Sequence, residues 1–512
     1  MNQSIVDKGL LLVILLAIFV VPSSISGTAV ALPAIGIDTR ASLTSLQWVV
    51  NAFNLTFACF TLAWGALADT FGRKRCFLMG AALYTLASLL SAIADSPLVL
   101  DFARAVAGIG AAAIFSCGIA ILSTHFDGAA RMRAFSLFGT VAGLGVSLGP
   151  TLSGLMLDGF GWRAIFWGHA VALMLVLLGS PFIHRDMTND RASSRFDTLG
   201  ATLFILALLA LMMAIVQGSQ WGWRSNGVYV LIVAFIGLLM VFVRREMHHG
   251  HPILDLSLLA NRIFVGMALV TVAASFGFVT LLTYLPSYLS TVLHLTATQA
   301  GLSMLLLTMP MLVCPMLAGK LVMRGVSSAS VLNASLLCLL GGILLLVMAS
   351  YPGVPLWQLA APLLLVGAGM GLSAGLVDGM ALKAVAEEKA GMAAGLLNTF
   401  RLGSEAIAVA LYGSLLTTLL GERLRASLAI WVSDGDILSR VVNAVAAGNL
   451  DVPLPVVAAG KSEWVKNLLI SGYDDAFHGV LWVLAAIILI LAILIAWLIR
   501  PHKVLVAVTQ PQ

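Results

Sequence analysis

Apolar residues in this chain come in long unbroken blocks, not in alternation with polar ones. Val480 to Ile499 is one such block. A membrane β-barrel strand would alternate lipid-facing and lumen-facing residues. A block of about 20 apolar residues instead matches a helix crossing the hydrocarbon of a bilayer. Inside lipid the backbone can bond only to its own helix or to a closed barrel. Fourteen blocks are long enough: 9–31, 46–67, 76–94, 98–122, 134–157, 163–183, 198–217, 227–243, 262–290, 298–319, 328–350, 357–380, 391–419 and 477–499. The first is too long for a cleaved signal peptide and lacks a small-x-small site followed by a soluble chain. The pattern predicts an all-α membrane protein.

Composition sharpens this. Of 512 residues, 60% are hydrophobic and 10% charged, with a mean hydropathy of +1.03. A soluble domain carries about 25% charged residues, so a soluble enzyme and a long disordered chain are both excluded. The net charge of +5 reflects topology, not nucleic-acid binding. With the N-terminus inside, the short inner segments hold eighteen Lys and Arg, including Arg73, Lys74, Arg75, Arg131 and Arg133. The short outer segments hold only Arg40, Arg163 and Arg224. Basic residues gather on the cytoplasmic side, which predicts both termini there. The five cysteines lie in or beside apolar runs and suggest no disulfide framework or metal site. Residues 420–475 read as one sizeable external loop, holding Asp434, Asp436, Asp451, Asp474 and Asp475.

Three motifs stand out. Gly65-Ala-Leu-Ala-Asp69-Thr-Phe-Gly72-Arg73-Lys74-Arg75 joins spans two and three through a tight basic turn. In span four, Leu100-Asp101-Phe-Ala-Arg104-Ala-Val-Ala-Gly108 sets an arginine within the membrane, where its cost makes it face the bundle interior. In span five, Gly145-Val-Ser-Leu-Gly149-Pro150-Thr-Leu-Ser-Gly154 spaces small residues for close helix approach, with a proline that allows a kink. In order, these resemble motifs A, B and C of the major facilitator superfamily, the third being its antiporter signature. Thr70, Ala107 and Ser153 depart from the usual patterns. Phe196-Asp-Thr-Leu-Gly200 before span seven and His251-Pro-Ile-Leu-Asp255-Leu before span nine extend the likeness to the fourteen-span drug:proton antiporter family.

That resemblance implies two six-helix bundles, 1–197 and 262–512, with an inserted two-helix hairpin at 198–261. It implies a multidrug efflux transporter, not an enzyme, that needs no cofactor beyond the proton as coupling ion. Its partners would be a small-molecule substrate and the lipid bilayer, with no nucleic acid. It would work as a monomer or with accessory export proteins. The family's first span usually reads LDxTIVNVALP, and here Ser24 occupies the acidic position.

A proton carrier must then lie elsewhere. Glu405, four residues after Arg401 in span thirteen, is the first candidate, and Asp101, three before Arg104, the second. A carboxylate that alternates between an arginine and a buried setting could load and release a proton. A neutralised structural ion pair is the alternative for each. Asp378 reads as a gate or helix-end residue. For substrate the candidates are Asn51, Asn54, Phe57, Tyr284 and Asn398, with Trp48, Trp64, Tyr288, Met309, Met370 and Phe400 as further lining groups. Buried amides need a partner, and aromatic faces suit flat, apolar or cationic molecules. His169 reads as a packing residue.

The leading expectation is proton-coupled antiport of amphipathic or cationic drugs. Export of one dedicated metabolite, such as a siderophore or antibiotic, stays open. A membrane electron-transfer subunit would need paired intramembrane histidines, and only His169 qualifies by position. An ATP-driven pump would need a GxxxxGK[ST] loop, which the sequence lacks.

Overall fold

Long apolar stretches become long helices because each internal hydrogen bond removes a polar group from lipid. The computed structural model describes residues 3–126, 128–183, 197–248, 256–374, 376–385, 390–428, 435–450 and 462–499. Among these there is helix and turn but no strand. The first helices are α1 (Gln3–Thr39), α2 (Leu43–Phe71), α3 (Arg73–Ala92), α4 (Pro97–His125), α5 (Gly128–Phe160) and α6 (Arg163–Leu178). Next come α7 (Thr198–Trp221) and α8 (Asn226–His248). Then α9 (Arg262–Ala274) runs through a π-turn (Ser275–Val279) into α10 (Thr280–Thr291). They are followed by α11 (Ala297–Thr308), α12 (Pro310–Met323), α13 (Ser328–Ala349), α14 (Leu356–Ser373) and α15 (Leu376–Lys383). The last are α16 (Ala390–Leu428), α17 (Gly435–Ala446) and α18 (Ser462–Leu498).

Among the described residues, twelve helical stretches are long and apolar enough to cross a membrane. Two of the fourteen predicted blocks, 46–67 and 163–183, correspond to α2 and α6, which are helical and packed among the rest but are not among the twelve.

Helix boundaries follow ordinary capping chemistry. Ser42, Ser96 and Ser327 accept backbone N–H bonds at the starts of α2, α4 and α13, and Thr296 with Gln299 forms a capping box at α11. Asp197, in the stretch singled out before span seven, caps α7 by accepting from Gly200 N at 2.9 Å. Its carboxylate also takes Arg245 Nε and Nη2 at 2.7–3.0 Å, which ties the start of α7 to the end of α8. The stretch 251–255 lies outside the described residues.

Packing divides the chain. Helices α1 to α6 enclose one apolar core around Phe53, Phe77, Tyr84 and Ile114. The second core joins α9 to α18, around Phe264, Tyr284, Leu339 and Phe477, and continues onto Ile35, Val49, Leu100 and Phe166 of the first six helices. The groups meet along α5 against α11 and α2 against α16, while α7 touches both α2 and α16.

The segment 420–475 departs from the expected loop. Helix α16 continues to Leu428, α17 packs against it, and α18 starts at Ser462, fifteen residues before the predicted span. Asp474 therefore lies within a helix and is buried. Asp434 and Asp451 lie outside the described residues.

Candidate functional site

Arg104 is the one fully buried cation among the described residues, 1% exposed. It does not pair with Asp101. Its Nε donates to the Val49 carbonyl at 3.1 Å and its Nη1 to Ser24 Oγ at 2.9 Å. The guanidinium also sits 4.3 Å from the Phe53 ring centroid. Ser24, at the position where the resembling family carries an acid, is thus the direct partner of Arg104. Asp101 keeps one oxygen, Oδ1, buried without a hydrogen bond. His169 is buried nearby with Nδ1 unpartnered, its ring edge-on to Phe166.

Helix α2 presents a row of amides. Asn51 and Asn54 are fully buried, and none of their four side-chain nitrogens and oxygens has a partner. Gln47, one turn earlier, is buried with Oε1 unpartnered. Spacings of four and three residues put all three on one helix face. The row reaches α16 directly, for a Cβ added at Gly413 would fall on the Gln47 amide. Next to Gly413 on α16, the Tyr412 ring stacks on Tyr284 at 4.0 Å. Tyr284 Oη donates to the Val409 carbonyl at 2.9 Å, while Tyr412 Oη is buried and unpartnered. Unpaired buried amides are costly, so this cluster is a place where a hydrogen-bonding molecule gains most.

The other expected lining residues are scattered. Phe57 is buried in the first core, edge-on to Phe53 and Phe115. Tyr288 is buried and bonded to Asp474, and Met309 is 58% exposed. Trp64 is buried with its indole N–H unpartnered. Trp48 and Phe400 are half-buried, each packed against a core cluster. The side chain of Asn398 lies outside the described residues. Gln47 and Tyr412 were not foreseen. Gln47 sits at the edge of its apolar block, and the register 47, 51, 54 is the signal that could have found it.

Glu405 is buried on α16, one turn from Arg401. Arg401, however, pairs with Asp378 across the chain, Nη2 to Oδ1 at 2.9 Å. The expected Arg401–Glu405 ion pair is therefore replaced by one with Asp378, which is half-exposed at the start of α15. The π-turn brings Ser275 beside this point, with Ser404 Oγ 2.8 Å from Ser275 Oγ and 2.8 Å from the Arg401 carbonyl. π-Turns inside helices recur at functional sites.

The two glycine motifs have geometric reasons. Gly72 links α2 to α3 at φ +95°, a conformation that penalises a Cβ. Arg73 reaches the Ala120 carbonyl at 3.3 Å, and Lys74 bonds the Ile183 carbonyl. Nothing lies within 4 Å of a Cβ placed at Gly65, and the Asp69 side chain is outside the described residues. Gly145 and Gly149 let α5 touch the backbone of α1 at Phe19 and Ser23, and Gly154 lets it touch the start of α11 at Ala297. Around Pro150, Ser147 Oγ donates to the Thr308 carbonyl at 3.0 Å and Thr151 Oγ1 to the Gly301 carbonyl at 3.1 Å. Asp158 accepts from Thr298 N at 2.8 Å at the far end of the same seam. The antiporter-type motif thus packs α5 on α1 through Gly145 and Gly149, and on α11 of the other helix group through Gly154.

Comparison with known proteins agrees with this architecture. The family model described as Major Facilitator Superfamily matches residues 14–409. The chain is 34% identical over 411 residues to "Multidrug resistance protein Stp" of Mycobacterium tuberculosis, covering 79% of this chain and 75% of that one. It is 31% identical to the "Probable actinorhodin transporter" of Streptomyces coelicolor, over 82% and 73% of the two chains. It is also 31% identical to "Puromycin resistance protein pur8" of Streptomyces alboniger, over 77% and 79%. Among solved structures, a bacterial homolog of the human lysosomal transporter Spinster, in an inward-facing and unoccupied conformation, superposes with a TM-score of 0.65. The two share 13% identity, with 97% and 96% of the chains covered, a likeness of fold alone.

Proposed function

The chain belongs to the major facilitator superfamily, and from that premise we propose that it exports amphipathic or cationic drugs in exchange for protons, by alternating access. It is a multi-pass membrane transporter. The observation that carries the proposal is the seam between α2 and α16. There Gln47, on the same α2 face as the unpartnered amides of Asn51 and Asn54, meets a helix that also bears the buried carboxylate of Glu405.

Substrate settles on the amides and on the Tyr284–Tyr412 stack, whose faces take planar or cationic groups. Glu405 is the proton carrier. Arg401 is its switch, held by Asp378 in this conformation and one turn from Glu405. Arg104, bonded to neutral groups, supplies a fixed positive field. Asp101 is a second acid in reserve. Motif C provides the surface on which the two groups rock, and the Gly72 turn with Arg73 and Lys74 the inner gate.

Helices α2 and α6 complete fourteen crossings, in two six-helix bundles with the α7–α8 hairpin between them. Both termini are cytoplasmic in the plasma membrane, and the chain needs no cofactor besides the proton. The bonds Thr151–Gly301 and Asp158–Thr298 close the seam at the outer end in this orientation, which supports an inward-facing state.

A second reading, export of one dedicated metabolite, draws on the neutral character of the amide row, which suits a polar, uncharged molecule. Relatives named for multidrug, puromycin and actinorhodin handling span both readings. The test is uptake into inside-out proteoliposomes under an imposed pH gradient, against cationic dyes and neutral polycyclic metabolites. Gradient-dependent uptake of several dyes is the expected result. Uptake that ignores the gradient contradicts antiport, and uptake of a single neutral compound selects the second reading.

A further inference from the structure

Arg104 is a permanent charge buried where α1, α2, α3, α4 and α6 converge, and no acid among the described residues bonds to it. Its Nε and Nη1 go to the Val49 carbonyl and the Ser24 hydroxyl, both neutral. Its guanidinium carbon lies 4.3 and 5.9 Å from the ring centroids of Phe53 and Phe166, also neutral. The described acids of the first helix group are engaged elsewhere. Asp7 pairs with His125, Asp38 and Asp95 with Arg163, and Asp158 with Thr298 N. Asp101 makes no bond to Arg104, and its Oδ1 has no partner at all. A buried charge without a counter-charge is costly, because water is gone and nothing of opposite sign replaces it.

The surroundings are rich in donors and poor in acceptors. Arg104 brings five N–H hydrogens, and the oxygens bonded to it are those of Val49 and Ser24. Ser24 Oγ accepts from Arg104, which leaves its own hydrogen to give. The Tyr84 hydroxyl lies against Arg104 and Ser24, fully buried and without a hydrogen-bond partner. Bonding between the two hydroxyls would use one hydrogen and leave the guanidinium and its charge as they are. His169 of α6 is within reach of the same charge, buried, with Nδ1 unpartnered. A water molecule here would bring as many hydrogens as it accepts and cancel no charge. The group that suits these donors is an acceptor with one negative charge and no hydrogen of its own. Ser24, Phe53 and Tyr84 are all 0% exposed, which bars a bulky anion, and sulfate or phosphate would overbalance a single guanidinium.

We propose that one chloride-sized halide binds beside Arg104, between Ser24 of α1 and Tyr84 of α3, as its counter-ion. The remaining guanidinium N–H groups and the hydroxyls of Ser24 and Tyr84 donate to it. Arg104 ties α4 to α1 through Ser24 and to α2 through Val49, so the anion completes the junction of these helices. Asn51 follows Val49 by two residues, and the junction therefore also sets where α2 holds its amides. Arg104 keeps its own charge throughout, and the anion sets how far that field reaches. The site does not depend on proton exchange or on the nature of the exported molecule.

The test is thermal unfolding of the purified protein in detergent, with sodium gluconate replaced stepwise by sodium chloride. Constant ionic strength holds surface screening fixed, and gluconate is too bulky for the enclosed site. A ligand that binds only the folded state raises stability with the logarithm of its concentration above its Kd. The wild-type midpoint should climb in this way with chloride, and bromide should substitute for it. Tyr84→Phe keeps the ring and loses one donor, so it should need about tenfold more halide for the same rise. A midpoint indifferent to chloride overturns the proposal. So does a chloride response unchanged in Tyr84→Phe, which would put the ion elsewhere. Should that variant fail to fold, the wild type still decides. Crystals grown in bromide should show an anomalous peak within bonding reach of Arg104 and Tyr84 Oη. No peak there, or an ordered water in its place, overturns the proposal.

Discussion

The two helix groups treat buried charge in opposite ways. In the first, the deeply buried charge is a cation, Arg104, satisfied by a serine hydroxyl, a backbone carbonyl and a phenyl face. In the second, the buried acids are Glu405 and Asp474, and the arginine one turn from Glu405 forms its ion pair with Asp378. A guanidinium stays protonated at any working pH, so Arg104 holds a constant field in the first group. Carboxylates change charge when their surroundings change. The contrast suggests that one half is a fixed electrostatic wall and the other carries the protons. On the proposed function, Ser24 anchors Arg104 where the family carries an acid, and the proton carrier lies across the seam.

The largest expected effect breaks that division directly. Glu405→Gln should abolish gradient-driven export while leaving protein in the membrane at wild-type levels, measured as dye efflux from energised cells. Full gradient-dependent efflux would remove Glu405 from the proton path. Next comes the packing of α5 on α1 inside the first group. Gly149→Leu would drive a side chain into the α1 backbone at Ser23. Overpacking costs about 1–3 kcal/mol even against movable side chains, and here the obstacle is backbone. Thermal unfolding in detergent should fall sharply, and an unchanged midpoint would mean that α1 and α5 are not so close.

Ser24→Ala removes one hydrogen bond to a charged group, worth about 1.5–3 kcal/mol. It should lower stability while preserving the pH dependence of transport. A changed pH profile would show that the first half titrates after all. The smallest effect concerns the amides. Asn51→Leu should weaken substrate binding by about three- to tenfold, the value of one hydrogen bond. It should not destabilise the empty protein, because Asn51 has no partner to lose. Unaltered affinity across the substrate panel would move the binding site away from α2.

Much of this was legible in the sequence where lipid imposes the rule. Most of the described helices fall on apolar blocks, because a chain in hydrocarbon must be apolar for about 20 residues at a time. Motif spacing located the Gly72 turn and the α5 seam, since only small residues permit such approach. Side-chain partners were harder. Residues one turn apart share a helix face, so Arg401 was matched to Glu405 and Arg104 to Asp101. The real partners lie on other helices, Asp378 and Ser24, 23 and 80 positions away in sequence. The first half of α18 was hidden for a different reason. It carries Glu463, Lys466, Asn467, Asp474 and Asp475, so a hydropathy reading starts only at 477. Asp474 and His478 were therefore set aside as loop and helix-end residues.

The central claim is that protons bind in the second helix group and leave when substrate binds. Reciprocal coupling requires that a substrate which displaces protons be displaced by them. The most direct measurement is proton release from purified protein in weakly buffered detergent on adding a transported dye, followed with a pH indicator. Wild-type and Ser24→Ala proteins should acidify the solution on dye addition, and Glu405→Gln should release markedly less. Release that is absent from the wild type, or undiminished in Glu405→Gln, would contradict the account.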